Sequence, residues 1–254
     1  MFRLVNFPLL IFVVSFFMLW LAARLGMFLR KRWAAEEHTP EDVGTVLAAI
    51  LTLLGLLIGF TFSMAVSRYD QRKNFEAEEA NAIGTEYVRA ELLPDADAAK
   101  LRELLTSYLD QRVLFYTTRS EPKVREINAR AARLQAELWA AVKSGVKTIP
   151  PPMVGLMLQG MNDVINREGY TQAAWRNRIP TAAWILMAAI ASISSVLIGY
   201  SLRRRGILSF LILPLAVSIS FFLIADIDSP RGGSIRVHPQ NLHVLSQSLH
   251  VPTP

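Results

Sequence analysis

Four stretches of this chain, Leu4 to Ala23, Val43 to Ser67, Ile179 to Leu202 and Gly206 to Ala225, contain no Asp, Glu, Lys or Arg. Each is about 20 residues or longer, enough at ~1.5 Å rise per residue to cross a hydrocarbon core of ~30 Å. A helix of a soluble domain keeps a polar stripe toward water and does not exclude charge for so long. The runs therefore predict four transmembrane helices. The first run is too long for the apolar core of a signal peptide, is followed by no A-x-A site and is closed by Arg30, Lys31 and Arg32, so it reads as a retained anchor.

Between the second and third runs lies a polar segment, residues 68–178, in which apolar residues recur at helical spacing. Leu101, Leu104, Leu105, Tyr108 and Phe115 share one face, as do Val124, Ile127, Ala131, Leu134 and Leu138, and then Met157, Met161 and Val164. Three amphipathic helices follow, separated by "LPDAD" at 93–97, "SEPK" at 120–123 and "IPPP" at 149–152, with Asp95 and Ser120 as N-cap candidates. The expected architecture is all-α. It consists of transmembrane helices 1 and 2 over residues 1–67, a helical domain over 68–178 that continues helix 2, transmembrane helices 3 and 4 over 179–227, and an extended tail over 228–254.

Gly44 to Leu93 contains no proline, so the second span and its polar extension read as one helix. Within the span, Gly44, Ala48, Thr52, Gly55, Gly59, Ser63 and Ser67 fall three or four apart on one face, with Gly55 and Gly59 forming a GxxxG pair. Small-residue stripes let helices approach closely in lipid. Packing within one subunit and packing between subunits or around a pore fit the stripe equally well. Past the span, Arg72 and Glu76 with Glu79, Glu86 and Arg89 read as a solvated face. Arg68 and Tyr69 stand where the helix leaves lipid, a depth suited to snorkelling and to an aromatic ring among headgroups.

The chain has no cysteine, which excludes disulfides, thiolate metal sites and cysteine nucleophiles. Its formal charge of +6 is spread beside span ends and along helices and not gathered in a patch, which points to lipid headgroups and away from nucleic acid. His38, His238, His243 and His250 fall in loops or tail without ligand spacing, and are expected to be solvent-exposed. No P-loop, G-x-S-x-G or G-x-G-x-x-G occurs, and the span cores carry no ionisable residue, so neither an enzyme nor a coupled transporter is expected, and no cofactor or metal is implied. Lys and Arg beside the spans number six on the side of the short loops and eight on the other, which leaves orientation open. Four crossings put both termini and the middle domain on one side.

The run Gly59-Phe60, then Arg68-Tyr69 and Gln71-Arg72, resembles the second transmembrane helix of bestrophins. With "EEANAIGT" at 78–85 and "DIDSPRGG" at 226–233, nearly the whole chain is similar to bacterial bestrophin-like membrane proteins. The resemblance implies a homo-oligomeric, pentameric ion channel of the cytoplasmic membrane, with cytosolic termini and middle domain and a pore lined by helix 2. Its constriction would fall on Phe60, Leu56 and Thr52, the last departing from the bulky apolar residue usual there. Gly55, Gly59 and Ser63 would permit close helix contacts, and membrane lipids and small inorganic ions would be the partners. The calcium-binding acidic run of animal bestrophins has no counterpart, since Asp226 and Asp228 supply too few oxygens. Helix-end carboxylates near Arg231 are expected instead. The other reading is a nonconducting membrane scaffold or sensor whose middle helices bind a partner, to which Thr52 and the altered "DSPRGG" element lend some weight.

Overall fold

The computed structural model describes residues 6–33, 40–201 and 207–250, and these form eight α-helices. They are α1 (Pro8–Trp33), α2 (Pro40–Arg89), α3 (Asp95–Thr117), α4 (Glu121–Gly145), α5 (Pro151–Arg176), α6 (Thr181–Ser201), α7 (Ile207–Asp228) and α8 (Gln240–His250). Leu4, His38 and Arg203 to Arg205 lie outside the described residues. Four described helical stretches are long and apolar enough to cross a membrane, and each covers most of one charge-free run. The chain divides into two units, and no strand occurs among the described residues.

The first unit holds the described residues up to Tyr69 together with Arg178–Arg236. Its spans meet in one apolar cluster of Leu19 from α1, Leu54 from α2, Met187 and Ala191 from α6, and Val217 and Phe221 from α7. The closest approach is between α1 and α6. A Cβ added at Gly199 would lie 2.8 Å from the carbonyl carbon of Ala23 and closer still to its oxygen, and one added at Gly26 would lie 2.9 Å from the nitrogen of Tyr200. Helices in lipid gain from such contact because no hydrophobic force separates lipid tails from side chains.

The second unit holds Asp70–Asn177 and the described residues from Val237 on. In it α3, α4 and α5 bury the apolar faces read from the sequence, including Leu101, Leu105, Tyr108 and Phe115, then Val124, Ala131, Leu134 and Leu138, then Met157, Met161 and Val164. Ser120 is the N-cap residue of α4 but makes no side-chain cap bond, and Asp95 is the first residue of α3, after Pro94.

The tail expected to be extended over 228–254 contains a helix, and residues 251–254 lie outside the described residues. Residues 240–250 are helical, and Leu242 is fully buried. The helix starts against a carboxylate: Glu76 on α2 accepts the backbone N–H of Leu242 at 2.9 Å and the side-chain amide of Asn241 at 2.6 Å. A buried acceptor at a helix start satisfies donors that have no partner within the helix and complements the positive end of its dipole. Leu242, Leu245 and Leu249 carry the helical spacing.

Candidate pore helix and the polar joints along it

α2 runs for 50 residues, about 75 Å at α-helical rise. Its apolar part meets the first unit along a narrow stripe, with Leu54, Thr61 and Ala65 buried and Ile58 packed beside them. Those positions recur three or four apart and so share a face. Only 11% of the span window of α2 is covered, against 44% for α7. Of the four spans it is the one least enclosed by its own protomer.

The small-residue stripe is on the uncovered side. Gly44, Ala48, Thr52, Gly55, Gly59, Ser63 and Ser67 are all exposed, and a Cβ built at Gly44, Gly55 or Gly59 would meet nothing within 4 Å. Packing within one subunit, one of the two readings left open, does not occupy this face. Leu56 is 52% and Phe60 63% exposed on the same helix. Thr52 is exposed too, with its hydroxyl donating to the Ala48 carbonyl at 2.9 Å, which leaves the oxygen's lone pairs and the methyl outward.

Arg68 and Tyr69 are placed by protein and not left to lipid. Tyr69 packs on the cluster of Ala65, Ile179, Ile224 and Ile227, and the Arg68 guanidinium lies 3.9 Å from Asp228 at the end of α7. Arg68 thus has an ion-pair partner within the protomer, which suits a fully buried carboxylate that requires opposing charge. Asp228 also accepts the backbone N–H of Ile179 at 3.2 Å and lies 3.7 Å from Arg178, whose guanidinium donates to the Asp228 carbonyl at 2.6 Å and to Asn6 at 2.9 Å. Asp226 accepts the N–H groups of Ser234 and Ile235 at 2.7 and 2.8 Å, and Gly233 lies against its backbone where a side chain would not fit. The two acids are thus used in tying the chain together after α7. Among the described residues no group of three or more His, Asp or Glu could hold a metal ion.

Beyond residue 70 four of the five charges read as a solvated face are interior, and Arg89 is half-buried. Arg72, Glu76, Glu79 and Glu86 are each 2% exposed or less. Arg72 donates to the carbonyls of Ala174 and Asn177, at 3.3 and 3.2 Å, and so ties α2 to the end of α5. Glu79 receives a two-pronged bond from Arg112 on α3, at 3.1 and 3.0 Å. Arg112 also donates to Glu168 on α5 at 3.1 Å and stands 4.5 Å over the Phe115 ring. Two buried carboxylates thus share one guanidinium. Glu168 is further supplied by Tyr108 at 3.0 Å, Gln172 at 2.9 Å and Gln135.

Burial pushes the Glu79 carboxyl up against the pull of Arg112. Burial alone would depress Arg112, but Glu79, Tyr108 and Glu168 raise it, so the guanidinium stays charged. Burial also raises the phenols of Tyr108 and Tyr116, which stay neutral donors. Local spacing could not reveal this core, since the partners of Glu79 and Glu76 come from α3 and α8, far along the chain.

A bundle of four charge-free spans with a helical insertion after the second defines an integral membrane protein of the bestrophin fold. The Bestrophin-like domain model matches residues 9–242, and the chain belongs to that family. Crystal structures of point variants of a bacterial bestrophin homologue from Klebsiella pneumoniae share the fold. One has a TM-score of 0.66 at 14% identity, with 93% of this chain and 97% of that chain covered. A second has a TM-score of 0.68 at 12% identity, with 94% and 95% covered. A third has 0.65 at 13%, with 94% and 97% covered. No curated protein sequence matches this chain.

Proposed function

We propose that this protein is a homo-oligomeric ion channel, pentameric as its family resemblance implies, with α2 of each copy facing a central pore. The supporting observation is that α2, the longest helix, is the span its own protomer covers least, at 11% of its window. Its bare face carries Gly55, Gly59 and Ser63, small enough for backbones of neighbouring copies to approach, and Leu56 and Phe60, large enough to narrow a passage. An apolar ring gates by dewetting and needs no fixed charge, which suits a span free of Asp, Glu, Lys and Arg. Phe60 and Leu56 form the constriction in this reading and Thr52 its polar end. A single protomer cannot enclose such a route, and cyclic symmetry is the usual way for copies to do so. The bilayer is the cytoplasmic membrane, with the second unit and both termini on the cytosolic side. The partners are membrane lipids, small inorganic ions and copies of the chain.

The test begins with the mass of the detergent-solubilised protein, followed by planar-bilayer recording of the oligomer under asymmetric KCl. A ring-sized mass and a reversal potential that reports the sign of the permeant ion are expected. A monomer or dimer rules out the ring. A ring without current, for both wild type and Phe60→Ala, replaces the channel with a membrane scaffold that binds a partner through its helical insertion.

A further inference from the structure

Glu86 stands apart from the other buried acids. Its side chain is fully buried on α2, yet neither carboxyl oxygen has a hydrogen-bond donor. An ionised carboxylate in that position lacks the compensation that burial of charge requires. The residue above it is Gly160 on α5, where an added Cβ would lie 3.0 Å from the Glu86 carboxyl carbon and 2.5 Å from Nη1 of Arg89. Arg89 Nη1 donates to the Leu156 carbonyl on α5 at 3.2 Å and stands 3.8 Å from the Glu86 carboxylate. One guanidinium thus lies between a backbone acceptor on α5 and an acid on its own helix.

The surrounding charges are few. On α5, Asp163 opposes ionisation of Glu86, while Arg89 on α2 favours it. A cavity of 220 Å³ beside them is lined by Asn81, Thr85, Arg89, Gly160 and Asp163, together with Glu78 and Arg167, which pair with each other at 2.5 Å. On α3, Arg102 is held by Glu91 at 2.7 Å. The α8 sequence contains no Asp, Glu, Lys or Arg, only His243 and His250.

We propose that Glu86 is a proton-operated latch between α2 and α5. When its carboxyl is neutral it seats under Gly160, and Arg89 holds the Leu156 carbonyl. When it is charged it draws Arg89 away and admits water from the adjoining cavity, so that the α5 turn at 156–160 lifts. Burial first, with Asp163 adding to it against Arg89, raises the carboxyl from 4.5 to about 7, so the switch works near neutrality. The folded value is above the unfolded one, so the closed latch is favoured at low pH and is lost as pH rises through about 7. For a shift of this size, linkage gives about a tenfold rise in opening between roughly pH 6 and 8. The same helix carries the candidate constriction, and any effect on ion flow rests on the channel reading above.

Hydrogen exchange of the full-length protein in detergent, at pH 6 and pH 8 with correction for intrinsic exchange, measures the latch directly. Peptides covering 154–164 should lose about tenfold protection at pH 8 in wild type, and Glu86→Gln, permanently neutral, should stay protected at both. Asp163→Asn should move the midpoint to lower pH, and it serves if Glu86→Gln does not fold. Equal pH dependence in wild type and Glu86→Gln, or an unmoved midpoint in Asp163→Asn, overturns the latch. Liposome flux at the same two pH values is read in parallel. Absence of flux at both counts against the channel reading while the exchange result still judges the latch.

Discussion

Replacing Gly199 by alanine and Gly59 by leucine separates the seam inside a protomer from the face left open outside it. At Gly199 the new Cβ begins 2.8 Å from the Ala23 carbonyl carbon, and ordinary van der Waals contact starts at 3.4 Å. The obstacle is backbone, which has no rotamer to change, so α1 and α6 must move apart along their closest approach. Overpacking of this kind costs about 1–3 kcal/mol. At Gly59 nothing lies within 4 Å, so a leucine meets no atom of its own chain and should change protomer stability by no more than about 0.5 kcal/mol. Thermal unfolding followed by tryptophan fluorescence, with mass by light scattering over a range of concentrations, reads both effects. Gly199→Ala should lower the unfolding temperature at every concentration without changing mass, whereas Gly59→Leu should reduce the oligomer mass. A Gly59→Leu protein that keeps its mass removes the assembly role of that face. A Gly199→Ala protein as stable as wild type refutes the packing argument.

Phe60→Ala should leave folding unchanged, because the ring is 63% exposed, and should raise bilayer conductance by widening the constriction. Arg112→Met strands Glu79 and Glu168 without their shared cation and should destabilise the protein by about 3–5 kcal/mol, measured by denaturant unfolding, with Glu79→Gln in the same background recovering part of the loss. Glu86→Gln should raise the unfolding temperature at pH 8 and leave it nearly unchanged at pH 5, since the wild-type carboxyl is charged only above about 7. Gly160→Ala should imitate the high-pH state at pH 6, with Arg89 displaced from Leu156 and exchange of 154–164 accelerated.

The spans were readable from sequence because the absence of charge over a membrane's width is a property of consecutive residues, and α3 to α5 because their apolar faces repeat every turn. What escaped was anything set by a distant partner. Arg72, Glu76, Glu79 and Glu86 sit three to seven residues apart, a pattern that is the same for a wet face and for a face buried under Arg112 and Asn241. Only the partners distinguish the two, and they come from α3, α5 and α8. The α1–α6 seam was missed for a similar reason, since Gly26 and Gly199 are single glycines without a motif. The GxxxG pair that did form a motif, Gly55 and Gly59, faces away from the protomer. α8 was hidden by the prolines before it, which marked the region as irregular although Leu242, Leu245 and Leu249 keep helical spacing beyond them.

The bond from Glu76 to the first turn of α8 also sets an order of events during synthesis. The acid emerges from the ribosome well before α6 and α7 are made, but the Asn241 and Leu242 amides that satisfy it come after both. Until they arrive, a carboxylate meant for the interior has only water to solvate it, so the second unit closes after α6 and α7 have been synthesised. A chain stopped short of Pro239 should therefore keep its apolar spans intact and still be recognised by proteases at the base of α2.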